Sequence, residues 1–385
     1  MSKVVLIFKK EILDALRDSR AFVVCIAMPF LLYPILFGVM AFFMQSELTK
    51  EARLLYEIGV INKSNLPDFV SQLEQTDKFI IIEDEDPRKL FNKDQVKIAI
   101  DIRSKNQIAI FYNGADKESQ NALRRIEKIL SDYQLGITKK SITDAGLAEE
   151  VLSPIAVDKI NVAPASKMGG FFLGIIIPYM LMILAFQGAM RGAIDMTTGE
   201  KERKTIETLL VTDIKRSEIV IGKCLSTFML ALVATISGLL GLIISVQSGL
   251  SILSQMSKNF SMSVPWLSCI LMLVIMLPLL WFFSSALVAI GSFSKSMNQA
   301  TIYSTYCLIL VIMLAIFSIV RMTTPSMVTF LIPVLNTAIL QQQILVGEVK
   351  WLNLLITLGS SIFYAAITYL LAKNNFEKEE ILLRS

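Results

Sequence analysis

Six stretches of this chain, at residues 21–45, 170–190, 222–247, 265–293, 300–320 and 352–372, run for about twenty residues or more with almost no charge. A hydrocarbon core of roughly 30 Å takes about 20 apolar residues of helix to cross, and backbone inside it must satisfy its own hydrogen bonds. The expected fold is therefore an α-helical polytopic membrane protein with six transmembrane helices. Across the six spans the one Asp, Glu, Lys or Arg is Lys223, a turn inside the third, where a lysine can snorkel its ammonium to the interface. Composition agrees, since 54% of the 385 residues are hydrophobic and 18% charged, more apolar than an ordinary globular enzyme. The first span follows twenty residues and lacks a small-residue cleavage site, so it reads as a retained helix. Pro29, Pro34, Pro178 and Pro278 are expected to kink their helices, with neighbours satisfying the freed carbonyls.

Basic residues set the expected sidedness. Lys and Arg number five in residues 1–20, six in 191–221, one in 294–299 and three from 373 onward. The alternate loops 248–264 and 321–351 carry one and two. The long 46–167 segment is exempt, because large domains translocate largely regardless of charge. Both termini are thus expected in the cytoplasm and residues 46–167 outside. The basic excess is spread along one membrane face rather than gathered in a patch, which argues against a nucleic-acid partner.

Residues 46–167 read as an inserted extracytoplasmic α/β domain. Strand-like runs occur at 56–61, 79–82, 96–102 and 107–112, with a turn near Asn106 between the last two. Helical spacing covers 66–75 and 117–135, the second with Leu123, Ile126, Ile129 and Leu130 on one side. The acidic run Glu83 to Asp86 reads as a solvated turn before Pro87 or as a gathering point for cations.

Catalytic chemistry finds little support. The chain has no histidine, and its four cysteines, Cys25, Cys224, Cys269 and Cys307, lie in or beside spans, so neither a disulfide framework nor a His-based site is implied. The spans hold no paired aspartates and no serine beside an intramembrane base. A nucleotide-binding G-x-x-x-x-G-K-[ST] loop does not occur; Gly222-Lys223 is followed by Cys224. If the protein uses nucleotide, a separate polypeptide binds it.

The 191–221 island is where that polypeptide is expected to attach. From Gly199, the run Glu200, Lys201, Glu202, Arg203, Lys204, Thr205, Ile206, Glu207 has helical spacing, with Glu200–Lys204 and Arg203–Glu207 as i,i+4 pairs and Thr197 or Thr198 as the cap. Ile206, Leu209 and Leu210 form an apolar stripe suited to a partner's groove. Ordinary solvation of a membrane loop is the other reading. The run T-G-E-K-E-R-K-T-I-E-T-L-L-V-T-D-I-K-R-S-E-I-V-I-G-K resembles the loop after the second span of ABC-2 type exporter permeases, usually G-E-[KR]-E-x-G-T-x-E-x-L-L-x-[ST]-P followed by G-K. Two positions depart: Lys204 stands where glycine is usual, and Asp213 where proline is.

Other segments are similar to the same family. In residues 1–20, Val5, Phe8, Ile12 and Leu16 share a stripe opposite Lys3, Lys10, Asp14 and Arg17, like the family's interfacial elbow helix. A charged helix continuing into the first span is the alternative. The layout, the Ile332 to Asn336 motif and the Phe376 to Leu382 motif resemble the NatB-like branch, the permease subunits of sodium-extruding ABC exporters. The resemblance implies an ABC-2 (type V exporter-like) fold in a bacterial cell membrane, both termini cytoplasmic. It implies two permeases with two cytoplasmic ABC ATPase subunits, and membrane lipid around them. No cofactor is expected on this chain; ATP and Mg enter through the partner. Gly199, Glu200, Glu202, Arg203, Thr205, Ile206, Glu207, Leu209 and Leu210 are the expected coupling residues.

Residues 321–351 are too apolar for a free loop yet contain Pro325 and Pro333, and read as a re-entrant outer hairpin. Its Asn336, Gln341, Gln342 and Gln343, with Gln187, Ser237, Ser284, Ser285, Thr301 and Ser304, are the candidate polar groups of a substrate pathway; helix-packing hydrogen bonds are the alternative for each. Sodium is the cargo the resemblance implies, although the spans offer no carboxylate. A lipid, peptide or drug cargo, and a membrane receptor with an outer ligand-binding domain, are the competing readings.

Overall fold

The structure, a computed structural model, describes residues 3–76, 78–82, 96–146, 165–247, 264–320 and 325–378. The acidic run 83–86, the 248–263 loop and the tail motif beyond Lys378 lie outside the described residues. The chain forms two compact units, Gln45–Asn161 and the remainder, Met1–Met44 with Val162–Ser385.

The larger unit is helical. Among the described residues, six helices are long and apolar enough to cross a membrane: Val23–Glu47, Leu173–Glu202, Arg216–Gln247, Trp266–Phe293, Met297–Val320 and Trp351–Glu377. They are called here the first to sixth membrane helices. The second is the most enclosed, 61% buried over its apolar window against 22% for the first and sixth, and it packs against the third, fourth and fifth. Small residues let it pack closely: a Cβ on Gly188 would lie 2.6 Å from the Ala234 Cβ of the third helix. Phe186 meets Phe283 of the fourth helix edge to face at 5.2 Å between ring centroids. Large apolar side chains on the other helices, among them Phe42, Met313 and Leu355, are exposed, as a lipid-facing surface requires.

The first membrane helix begins with a π turn, Val23–Ala27, and continues as Met28–Arg53. Pro34 has no N–H for the Phe30 carbonyl, and it is against this oxygen that Gly241 of the third helix packs; a Cβ there would sit 2.1 Å from it. Nearby, Ser237 donates to the Ile26 carbonyl at 2.8 Å. The third helix thus packs and hydrogen-bonds along the stretch of the first helix that holds Pro29 and Pro34.

Over the expected re-entrant stretch the chain forms a 3-10 turn, Met327–Leu331, and a helix, Leu335–Val346, whose residues are nearly all buried. At its end a Cβ on Gly170 of the second helix would stand 2.0 Å from the Leu345 carbonyl, so glycine alone permits this contact.

Among the described residues of the smaller unit, a four-stranded sheet has the order β2-β1-β3-β4, with β1 Tyr56–Ile61, β2 Phe79–Ile82, β3 Ile98–Ser104 and β4 Gln107–Tyr112. β1 pairs parallel with β2 and β3, and β3 pairs antiparallel with β4. Helices Pro67–Glu74 and Lys117–Asp144 contribute Phe69, Leu73, Ala122 and Ile126 to a core with Ile58, Val60, Ile98 and Ile100. Asp116 caps the second helix by accepting from the Glu118 N–H at 3.2 Å. That helix runs nine residues beyond the expected 135; Leu135 and Ile137 are exposed there, so no apolar periodicity marks the extension.

Candidate functional site: a charged hub at the end of the second membrane helix

The second membrane helix does not stop where its hydropathy falls. It runs as Ala165–Ile194, a π turn Asp195–Gly199 and a last turn Glu200–Glu202, so the expected loop from 191 is helix for its first dozen residues. Thr197 and Thr198 are consequently not caps. Thr197 donates back to the Ala193 carbonyl, and Thr198 donates across to the Gly291 carbonyl of the fourth helix at 2.8 Å. A Cβ on Gly291 would lie 2.0 Å from the Thr197 Oγ1, which is why the two helices can meet there.

The chain then breaks at Lys204, whose φ of 57° places it in the left-handed region, and restarts as the short helix Thr205–Leu210. This is the position where the resembling family has glycine, the residue that adopts such a φ without a Cβ penalty. Two expected pairs fail with the break. Lys204 is on the far side of the turn from Glu200, and Arg203 pairs with Asp195 at 2.7 Å rather than with Glu207. The Thr205 hydroxyl closes the turn by donating to the Glu200 carbonyl at 3.2 Å.

Three consecutive residues before the break each tether a different part of the bundle. Glu200, 6% exposed, accepts from Lys223 of the third helix through Oε2 at 2.6 Å and from Lys10 of the N-terminal helix Lys3–Arg17 through Oε1. Lys201 donates to the Ser292 carbonyl and, at 3.3 Å, to that of Ser294, at the C-terminal end of the fourth helix. Glu202, although exposed, accepts from the Met297 N–H at 2.7 Å, the first N–H of the fifth helix.

Lys223 corrects the sequence reading most sharply. It does not snorkel; it is fully buried. Its three ammonium protons meet three acceptors: Glu11 Oε1 at 2.9 Å, Glu200 Oε2 at 2.6 Å and the Met196 carbonyl. Lys10 lies 3.4 Å from Glu11 as well, so two lysines and two glutamates form a cluster of zero net charge. Burial opposes the charge on Lys10, but its hydrogen bond to Glu200 and the two carboxylates outweigh that and raise its pKa above the ordinary lysine value. Glu11 was missed in the sequence because it stands 212 positions from Lys223. The available signal was Lys223 itself, since a lysine in an apolar span needs a partner.

The N-terminal helix has two faces. Ile7 and Glu11 point into the protein, where Gly222 lets Ile7 approach; a Cβ at 222 would be 2.7 Å from the Ile7 Cγ2. The stripe of Val5, Phe8, Ile12 and Leu16 is half-buried or exposed, with Leu16 69% exposed, and so faces away from the protein.

The expected docking stripe divides. Ile206 is buried in this chain's own core and Leu209 is half-buried against it, while the side chain of Leu210 lies outside the described residues. The outward surface of the turn is Arg203, Lys204, Thr205, Glu207, Thr208 and Val211, the last 88% exposed. Asp213, in place of the usual proline, pairs with Lys3 at 3.0 Å and ties the turn to the N-terminal helix.

The chain belongs to the ABC-2 family of transporter proteins. The family model matches residues 5–381. The chain is also 26% identical over 395 residues to the ABC transporter permease protein NatB of Bacillus subtilis (strain 168), covering 98% of each protein. With six apolar helices, it is a multi-pass membrane transporter permease.

The expected pathway residues do not form one site. Gln187 and Thr301 line a cavity of about 910 Å³ beside the hub, together with Asp14, Asp18, Arg191 and Asp195. Ser237 and Ser284 spend their hydroxyls on helix carbonyls; Ser285 does the same and also bonds the Thr368 hydroxyl at 2.6 Å. Asn336 donates to Ser360 and Ser361 of the sixth helix at 2.8 and 3.0 Å, and Gln343 accepts from Asn353 at 3.2 Å. Ser304 and Gln341 are fully buried with side-chain polar atoms that have no hydrogen-bond partner among the described residues.

Proposed function

We propose that this permease is the membrane half of an ATP-driven exporter, that a separate cytoplasmic ATPase supplies the energy, and that the cargo is sodium. The single observation behind the coupling role is the run Glu200-Lys201-Glu202, which binds the N-terminal, third, fourth and fifth helices from one turn of the second. A push on the adjoining turn is thereby delivered to those four helices. Two permeases and two ATPases make the working assembly in a bacterial cell membrane, and ATP with Mg acts in the partner. The outward residues Arg203, Thr205, Glu207 and Val211 meet that partner, whereas Glu200, Glu202 and Ile206 transmit internally. Sodium rests on the similarity to NatB, named a permease, and on the family resemblance to sodium exporters.

Two variants separate docking from transmission. Glu207→Lys should reduce ATPase co-purification, while Glu200→Gln should leave the ATPase bound and uncouple hydrolysis from sodium efflux in proteoliposomes. Retained co-purification with Glu207→Lys removes that face from docking. One observation favours a second cargo: the 910 Å³ cavity is far larger than a cation needs and suits an amphiphile with a charged head. Efflux of a fluorescent amphiphile measured beside sodium decides between them.

A further inference from the structure

The cavity beside the hub is lined by charges of both signs. Three pairs are satisfied within the protein: Lys10 with Glu200, Arg191 with Asp18 at 3.6 Å and Arg203 with Asp195 at 2.7 Å. Two lining groups are not. Asp14 and Arg17, both exposed, have no ion-pair partner among the described residues, not even each other, although they stand one turn apart on the N-terminal helix. The wall also includes the apolar side chains of Ala21, Val24, Met190 and Leu230.

The cavity lies where apolar sequence gives way to charge. Its residues come from the charged ends of the first, second and fifth spans, near residues 21, 190 and 300, so it sits at the level of lipid headgroups. Sequence neighbours of the lining residues face outward: Leu16, Phe22 and Val23 are 69%, 56% and 52% exposed, apolar surface that belongs against acyl chains. A volume of about 910 Å³ is far more than an ion needs and accommodates a lipid headgroup with its glycerol.

We propose that the cavity is a binding site for a zwitterionic phospholipid of the leaflet beside the N-terminal helix, its phosphate on Arg17 and its ammonium on Asp14. Guanidinium donates charge-assisted hydrogen bonds to phosphate, and a carboxylate accepts them from an ammonium. A head with both charges pairs the two groups the protein leaves open, whereas an anionic head would leave Asp14 unpaired and repelled. The lipid is resident. It bridges the N-terminal helix and the end of the second membrane helix, next to Glu200, and fills the space an amphiphilic cargo would otherwise use. The site does not depend on sodium being the cargo.

The test uses the purified full-length chain, delipidated in detergent and titrated with phosphatidylethanolamine, phosphatidylglycerol or the soluble glycerophosphoethanolamine, with bound molecules counted by native mass spectrometry. Saturable retention of a single phosphatidylethanolamine per chain is expected. Arg17→Glu and Asp14→Lys should each weaken it roughly tenfold or more, through loss of a charge-assisted hydrogen bond. Ala21→Trp, which fills the cavity and changes no charge, should weaken it comparably. Lys9→Glu, exposed on the same helix but outside the cavity wall, makes the same charge change as Arg17→Glu and should bind as the parent does. Equal retention in the parent and the cavity variants, or an equal loss with Lys9→Glu, refutes the site and leaves only general attraction to a charged surface. Phosphatidylglycerol bound as tightly refutes the zwitterionic assignment, and glycerophosphoethanolamine bound as tightly refutes the membrane as its source. Retention is counted again after ATP turnover by the complex with its ATPase, followed by phosphate release. Lipid that stays is resident; lipid lost in step with turnover is cargo and overturns the resident role.

Discussion

At the scale of single residues, charge placement and one dihedral angle decide most of the behaviour. Lys223 and its two carboxylates are enclosed, so Lys223→Met strands Glu11 and Glu200 with Lys10 alone and should destabilise the protein by about 3–5 kcal/mol, read as a fall in Tm in detergent. Adding Glu11→Gln to that variant should recover part of the loss, since one buried charge goes with its partner. Lys204→Gly should stabilise by roughly 1 kcal/mol, because the left-handed conformation penalises a Cβ; unchanged or lowered stability would show that the side chain compensates its strain. Lys10 gives the pH dependence. Its folded pKa is raised, so the stability it adds is complete below the ordinary lysine value of about 10.4 and disappears as pH climbs through the folded value. The Tm gap between parent and Lys10→Met should be constant near neutrality and close in strong alkali.

At the scale of elements, what could be read in the chain depended on whether the signal was local. Strands β1, β2 and β4 occupy the residues expected of them, because alternating or continuous β-branched runs bounded by turn residues are local features. The end of the second membrane helix was not legible. Hydropathy drops after Met190, where charged residues begin, while the helix itself continues to Glu202 through contacts with Gly291, Ser292 and Lys223 that lie far away in sequence. The i,i+4 pairs expected across 200–207 failed because a helical wheel assumes an unbroken helix, and the left-handed Lys204 breaks it. Tight crossings yield a further prediction at this scale. Gly170→Ala forces a Cβ onto the Leu345 backbone, which cannot yield as a side-chain tip would, and should expose the hairpin to limited proteolysis. Gly359→Ala, where nothing lies within 4 Å, should not.

For the whole molecule, the membrane arrangement follows from apolar length, and sidedness is the property on which the transport reading turns. The native thiols suit a test: Cys25, Cys224 and Cys269 are buried and Cys307 is half-buried, so background labelling should be low. A cysteine placed at Val211, 88% exposed, should react with an impermeant maleimide only after cells are opened. Reaction in intact cells would put the turn outside and end the case for an ATPase acting there. The hub also bears on how this permease tolerates change. Glu200, Lys201 and Glu202 are consecutive, and each successive side chain on a helix points about 100° from the last. Inserting one alanine between Met196 and Gly199 would keep every charge yet swing each of them to its neighbour's bearing. Lengthening by a single residue is therefore expected to harm this segment more than many replacements within it, so related chains should differ here by exchange of side chains and keep the count fixed.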